Sequence, residues 1–183
     1  MLFRSLLPHL ETSVEVVFSF WARAGQGDTG LSDLNFKTKY LFNEGARNRP
    51  LFGLSFVYLA PTGDCEKNLG GGVHRGTLNF ISSYKLNKIF IHKNLGYSFA
   101  ISGQGNSFWS VALAGEFPLT LKNTGFLELT GCFPINSAEK ILNFGLGINQ
   151  RLAGNVVTDT AITFGLTQAE PKYAITSGWT FSF

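Results

Sequence analysis

The amino-acid sequence predicts an all-β protein, an antiparallel up-and-down transmembrane β-barrel of about 11–12 strands. Three observations favour this fold class. About eleven segments of roughly ten residues alternate between apolar and polar side chains, which is the period of a strand. The 183 residues include 21 Gly and 18 Phe but only 15% charged residues, which suits many strands joined by tight turns. The final segment, residues 173–183, is aromatic on one face and small or polar on the other.

That final segment indicates which face meets which environment. Trp179, Phe181 and Phe183 share a face with Tyr173 and Ile175, while the intervening residues are Ala, Thr, Gly and Ser. A strand of a membrane barrel points apolar side chains to lipid and polar ones to the lumen, with aromatic residues at the interfaces. The ending resembles the C-terminal signature of bacterial outer-membrane barrels. The resemblance implies that Trp179, Phe181 and Phe183 form a membrane-insertion signal read by the outer-membrane insertion machinery.

The alternation predicts strands along the whole chain, the cleanest over residues 31–42. Glycine-rich or polar segments separate the strands, including a loop at 24–30, a long loop at 61–73 and a tight turn at Asn87-Lys88. The predicted strands are residues 1–8, 14–23, 31–42, 51–60, 77–86, 89–101, 109–117, 127–133, 142–151, 160–166 and 173–183.

The turns predict the orientation of the barrel. With residue 183 at the periplasmic end, the short turns at 87–88, 122–124 and 153–155 are periplasmic, and the loops at 24–30 and 61–73 are external. Only 43–50 is longer than a periplasmic turn is expected to be. Eleven strands is an odd number, and residues 1–8 lack the apolar core of a signal peptide. We therefore expect one domain, 1–183, that lacks its N-terminal strand and signal peptide, with residues 1–8 closing imperfectly on the last strand or leaving it open.

Composition limits the possible partners. The net charge of +3 is small, and no run of Lys and Arg occurs, so no nucleic-acid partner is expected. Cys65 and Cys132 lack metal-ligand spacing, and we expect no cofactor, no metal and no disulfide. A soluble β-sandwich is the alternative fold. It would bury the Phe and Leu face and carry about 25–35% charged residues on its surface. The low charge and the excess of aromatic residues favour the barrel.

The predicted lumen carries the chemistry-bearing side chains. Their charges could select polar or charged solutes, or they could neutralise one another and plug the lumen. Lys93 is an exception, because its position falls on the apolar face. The predicted lumen-lining residues are Lys37, Lys39, Lys85, His92, Glu116, Glu128, Arg151 and Asp159.

An enzyme is not expected from the sequence. The histidines are His9, His74 and His92, and none has a Ser two residues away on the same strand face. The Gly-x-Ser-x-Gly motif of many acyl hydrolases is also missing from the sequence. A lipid acyl hydrolase is therefore the least favoured alternative, after a structural barrel with a plugged lumen.

Three short segments carry a resemblance to a known family: Gly30-Leu-Ser-Asp33 leading to Lys39-Tyr40, then Ala60-Pro-Thr-Gly-Asp64, then Asn94-Leu-Gly-Tyr97. The chain resembles the outer-membrane family assigned as transporters of the meta-pathway of phenol degradation. Ser32 stands where that family usually has a second glycine. The resemblance implies a bacterial outer-membrane location, contact with the lipid bilayer, and a transporter or channel for small compounds, including aromatic or hydrophobic ones.

Overall fold

Strands account for all the regular structure of the described chain, which contains no helix. The computed structural model describes residues 2–7, 9–15, 18–23, 26–43, 49–67, 69–102, 105–153, 156–168 and 172–182. The strands are β1 (Leu2–Leu7), β2 (Leu10–Glu15), β3 (Phe18–Arg23), β4 (Gln26–Leu31), β5 (Leu34–Leu41), β6 (Leu51–Ala60), β7 (Arg75–Leu86), β8 (Ile89–Ala100), β9 (Phe108–Pro118), β10 (Asn123–Pro134), β11 (Ile141–Ala153), β12 (Val156–Gly165) and β13 (Tyr173–Ser182).

Ten of these strands form one continuous antiparallel sheet. Its spatial order is β2, β5 and then β6 to β13 in sequence, so that from β5 onward each strand pairs with the one that follows it in the chain. This order confirms the predicted all-β, antiparallel, up-and-down organisation. The strands β6 to β13 contain 10–13 residues each.

The two ends of the sheet touch at a single short contact. β1 pairs with β2 in the antiparallel sense and meets β13 in the parallel sense at two residue pairs, Leu2 with Phe181 and Phe3 with Ser182. Two parallel pairs are much weaker than the antiparallel ladders elsewhere in the sheet. They do not close the sheet, so a closed barrel remains a prediction.

The structure corrects one prediction near the N-terminus. The predicted loop at 24–30 is wrong in part, since Gln26–Leu31 forms β4 and pairs with β3 in a separate two-stranded sheet. Within the predicted strand 14–23, the described residues belong to β2, which ends at Glu15, and β3, which begins at Phe18. Residues 16–17 and 24–25 lie outside the described part.

The connections differ at the two ends of the sheet. The end that carries the short turns Asn87-Lys88 and 119–122, together with the longer connection 42–50, we call the turn end. The opposite end, which we call the loop end, carries 61–74, 101–107, 135–140 and 166–172. In the tightest turn Leu86 pairs directly with Ile89, and Asn87 has a φ of 56°, a conformation that Asn tolerates better than most residues.

The longest loop is held in place by a buried carboxylate. Asp33 is 7% exposed, and its Oδ1 and Oδ2 accept hydrogen bonds from the backbone N–H groups of Gly63 (2.9 Å) and Gly71 (2.8 Å). Leu69, 4% exposed, packs against Gly30. In the same loop, a hydrogen bond from Lys67 holds the pKa of Asp64 below its ordinary value. Two of the segments behind the family resemblance, around Asp33 and Gly63, therefore meet in space.

Replacing Asp33 by Ala is expected to destabilise this loop selectively. The change leaves two backbone N–H groups without acceptors, at a cost of about 1–3 kcal/mol. Limited proteolysis should then cleave within residues 61–74 at least several-fold faster than in the unchanged protein. Glu66→Ala is the matched control, because Glu66 is an exposed carboxylate of the same loop; Asp64 is unsuitable, since it accepts hydrogen bonds from the backbone N–H groups of Glu66 and Lys67. Equal cleavage of the two variants would contradict the role given to Asp33.

Candidate functional site: the polar face of the sheet

The sheet has one apolar face and one polar face, and the apolar face is the exposed one. Large apolar side chains alternate along the strands and are typically 40–50% exposed, for example Leu129 at 46% and Trp109 at 45%. The polar face is sheltered: Ser55 in the middle of β6 and Ser98 near the end of β8 are only 2% exposed. The sheet therefore curls with its polar face inward.

No hydrophobic core lies between layers of the described structure. Among the described residues Leu69 is the sole buried hydrophobic side chain, and it belongs to a loop rather than to the sheet. A soluble β-sandwich buries the apolar faces of two sheets against each other. Among the described residues, the apolar face of the main sheet packs against no second layer, and this arrangement argues against the sandwich alternative.

All eight predicted lumen-lining residues lie on the polar face. Side chains of directly paired residues point to the same side of a sheet. The register links Lys39 to Ser55, Lys85 to Phe90 and on to Glu116, and Asp159 to Asn149. The eight residues are Lys37, Lys39, Lys85, His92, Glu116, Glu128, Arg151 and Asp159.

One ion pair on this face was missed by the sequence analysis. Lys39 Nζ lies 2.5 Å from Glu11 Oε2, and the two residues are direct partners on β5 and β2. Both side chains are partly exposed, so the pair contributes little to stability. The sequence analysis assigned no strand to residues 9–13, and it therefore did not place Glu11 on the polar face.

Two other charged side chains on the polar face form no direct ion pair. Lys37 on β5 and the half-buried Glu128 on β10 each lack one within the described part of the chain. Glu11 and Glu15 on β2 are nevertheless close enough to Lys37 to interact with its charge. Glu116 and Glu128 lie on the adjacent strands β9 and β10, away from the lysines of β5.

A Ser, a His and a Glu are brought together near the turn end. Ser83 Oγ lies 2.8 Å from His92 Nδ1, and His92 Nε2 lies 3.8 Å from Glu116 Oε2. His92 Nε2 is buried and has no hydrogen-bond partner among the residues that the structure describes. Ser83 lies on the strand next to that of His92, so a search for a Ser on the same strand does not find it. Counting outward from the two-residue turn Asn87-Lys88 would have placed Ser83 opposite His92.

Two cavities open on this side of the sheet. One, of about 260 Å³, has an uncharged lining whose polar side chains include Asn79, Asn94, Ser110, Thr130 and Asn143. The other, of about 300 Å³, lies at the turn end and is charged. Its lining includes Lys85, Asn87, Lys88, Phe90, Glu116 and Thr124.

Lys93 is placed on the apolar face. It pairs with Ser82 and Leu113 in regular ladders without a bulge, so no local irregularity turns it inward. Its position agrees with the alternation in the sequence.

The predicted insertion signal is described only in part. The backbones of Trp179 and Phe181 belong to β13 and pair with Thr158 and Val156. The side chains of these two residues, and the whole of Phe183, lie outside the described part. Cys65 and Cys132 form no disulfide.

Comparisons with known proteins do not assign the chain to a family. No protein-family model matches it, and no curated protein matches it either. Within the described residues, no group of three or more His, Cys, Asp or Glu side chains could hold a metal ion. The same residues contain no helix that is long and apolar enough to cross a membrane.

Proposed function

We propose that this chain forms a transmembrane β-barrel of the bacterial outer membrane and that its polar face lines a path for small solutes. The observation that carries the proposal is the exposed apolar face on strands of 10–13 residues. A tilted barrel strand needs about 9–11 residues to cross a bilayer. In water, such a face would be a large exposed apolar surface, which is unfavourable. In a bilayer, the same side chains contact lipid, which is favourable.

The polar face supports a conducting role over a plugged one. Lys37 and Glu128 lie on separate strands and form no direct ion pair within the described residues, and such charges create a transverse field that acts on polar and charged solutes. Under this proposal the turn end is periplasmic, the loop end is external, and β13 carries the signal read by the insertion machinery. The resemblance noted above adds small aromatic or hydrophobic compounds to the candidate solutes.

Conductance of the full chain in planar bilayers tests this proposal. We expect discrete channel openings, and a silent but membrane-inserted protein would instead support the plugged structural barrel. The variant Lys37→Gln/Lys39→Gln should raise the cation-to-anion permeability ratio by about twofold or more, because it removes positive charge from the path. Lys140→Gln is the control. Lys140 lies in the exposed connection 135–140 at the loop end, outside the strands, and its replacement should leave the ratio unchanged.

A second candidate function is that of an acyl hydrolase with Ser83 as nucleophile and His92 as base. It is favoured by the close approach of Ser83, His92 and Glu116. The regular ladders on both sides of β7 and β8 weigh against it, because they engage the backbone N–H groups that could otherwise stabilise an oxyanion. A fluorophosphonate reagent distinguishes the two candidates. Covalent labelling that Ser83→Ala abolishes and Ser82→Ala retains would favour the hydrolase, and no labelling would exclude it.

A further inference from the structure

The charged cavity at the turn end has an ordered arrangement of side chains. Lys85, Phe90 and Glu116 are direct partners on three adjacent strands, β7, β8 and β9. Neighbouring strands lie about 4.8 Å apart, so the Cα atoms of Lys85 and Glu116 are roughly 10 Å apart, with Phe90 on the strand between them. All three residues line the cavity of about 300 Å³, and Lys88 adds a second cation on the same hairpin as Lys85.

These charges are not neutralised by each other. Within the described residues Lys85 forms no ion pair, and its Nζ lies 5.0 Å from the centre of the Phe90 ring. The nearest basic group to Glu116 is His92, whose Nε2 is 3.8 Å away. Both the ammonium and the carboxylate can therefore engage a ligand without a competing salt bridge between them.

His92 packs beside the row formed by Lys85, Phe90 and Glu116. Its ring is nearly parallel to that of Phe90, at 8° and 6.3 Å between centroids, and its Nδ1 is within hydrogen-bond distance of Ser83. These contacts fix the aromatic floor of the cavity and hold the imidazole beside Glu116. We treat His92 as a positioning residue for the cavity.

We propose that this cavity binds a small zwitterion with an apolar side group, that is, an amino-acid-like solute. Its ammonium group binds Glu116, its carboxylate binds Lys85 and Lys88, and its apolar group packs on Phe90. A solute with only a negative charge is repelled by Glu116, and one with only a positive charge is repelled by the two lysines. This proposal rests on the proposed function, since it names a solute class for the same polar face.

Binding of three matched probes to the full chain in detergent micelles tests the proposal. L-phenylalanine carries both charges, phenylacetate only the negative one and phenethylamine only the positive one, on nearly the same apolar group. By titration calorimetry we expect L-phenylalanine to bind at least tenfold more tightly than either of the others. This first test needs only the unchanged protein. Equal affinities for the three probes, or no binding of L-phenylalanine, would overturn the proposal.

Two variants test whether the preference for L-phenylalanine over the singly charged probes arises in this cavity. Glu116→Gln should bring L-phenylalanine and phenylacetate to within about threefold of each other, and Lys85→Met should do the same for L-phenylalanine and phenethylamine. Glu139→Gln and Lys140→Met, in an exposed loop at the other end of the strands, are the controls and should keep the full preference. A preference that survives both cavity variants would place the site elsewhere and overturn the assignment.

The binding measurement is independent of conductance, so the two proposals can fail separately. A conducting channel without the zwitterion preference would contradict only the cavity proposal. Binding with the expected preference in a protein that never conducts would contradict only the transport proposal.

Discussion

Leu129→Arg is expected to lower the free energy of unfolding of the membrane-inserted protein by about 2–4 kcal/mol. Leu129 lies in the middle of β10 on the exposed apolar face, flanked by Leu113 and Phe144 on the neighbouring strands. No carboxylate is among these cross-strand neighbours, so in the proposed orientation the new guanidinium meets lipid. Equilibrium unfolding by urea from phospholipid vesicles measures the change.

Thr130→Arg is the matched control, one residue further along the same strand. Thr130 points to the polar face, lines the cavity of about 260 Å³ and shares its face with Glu128. The new guanidinium has space, water and a nearby carboxylate there, and we expect a change below about 1 kcal/mol. If the two variants lose equal stability, or if Thr130→Arg loses more, the assignment of the two faces is wrong.

Gly147→Ala is expected to destabilise the sheet by about 1–3 kcal/mol, because the added methyl group overpacks a filled site. A Cβ at position 147 would lie 2.5 Å from the carbonyl oxygen of Thr160 and 2.5 Å from the ring of Phe126. The carbonyl belongs to the adjacent strand β12, so relief requires the strands to move apart. Thermal unfolding in detergent, followed by circular dichroism, should show a clear decrease in Tm.

Gly115→Ala provides the comparison on β9. A Cβ at position 115 has no atom within 4 Å, so the methyl group meets open space. Ala restricts the unfolded chain more than Gly does, and we expect a change between zero and a gain of about 1 kcal/mol. An equal loss of stability in both variants would show that strand glycines matter here for a reason other than the space around them.

Most of the sheet could be predicted from the sequence because apolar and polar residues alternate along its strands. From Leu34 onward this alternation has few exceptions, and Gly, Asn or Pro separates the segments. The same alternation assigned the eight predicted lumen-lining residues to one face. Even Lys93, which interrupts the apolar face, follows the period and lies where the pattern puts it.

The N-terminal region could not be predicted in the same way. Gly27 and Gly30 suggest a loop, yet the backbone of 26–31 pairs with 18–23 as a separate hairpin. Backbone pairing does not depend on side-chain pattern, and a glycine-rich strand gives no alternation to detect. The sequence pattern therefore misled on the nature of residues 26–30, which it assigned to a loop.

The candidate site was only partly predictable for a related reason. His92 faces Ser83 because a two-residue turn fixes the register of β7 and β8, and that pairing is readable from the sequence. Glu116 faces Phe90 across a much longer connection, 101–107, which leaves the register of β8 and β9 open. The row formed by Lys85, Phe90 and Glu116 therefore became visible only in the folded chain.

The central claim is that the apolar face meets lipid, and spin labels along β9 test it most directly. Single cysteines at positions 110, 111, 112 and 113, in a background with Cys65→Ser and Cys132→Ser, carry the label in protein reconstituted into phospholipid vesicles. We expect collisions with oxygen, which concentrates in lipid, to be high at 111 and 113 and low at 110 and 112. High accessibility of 111 and 113 to a water-soluble nickel chelate, or burial of these two positions from both reagents, would contradict the account.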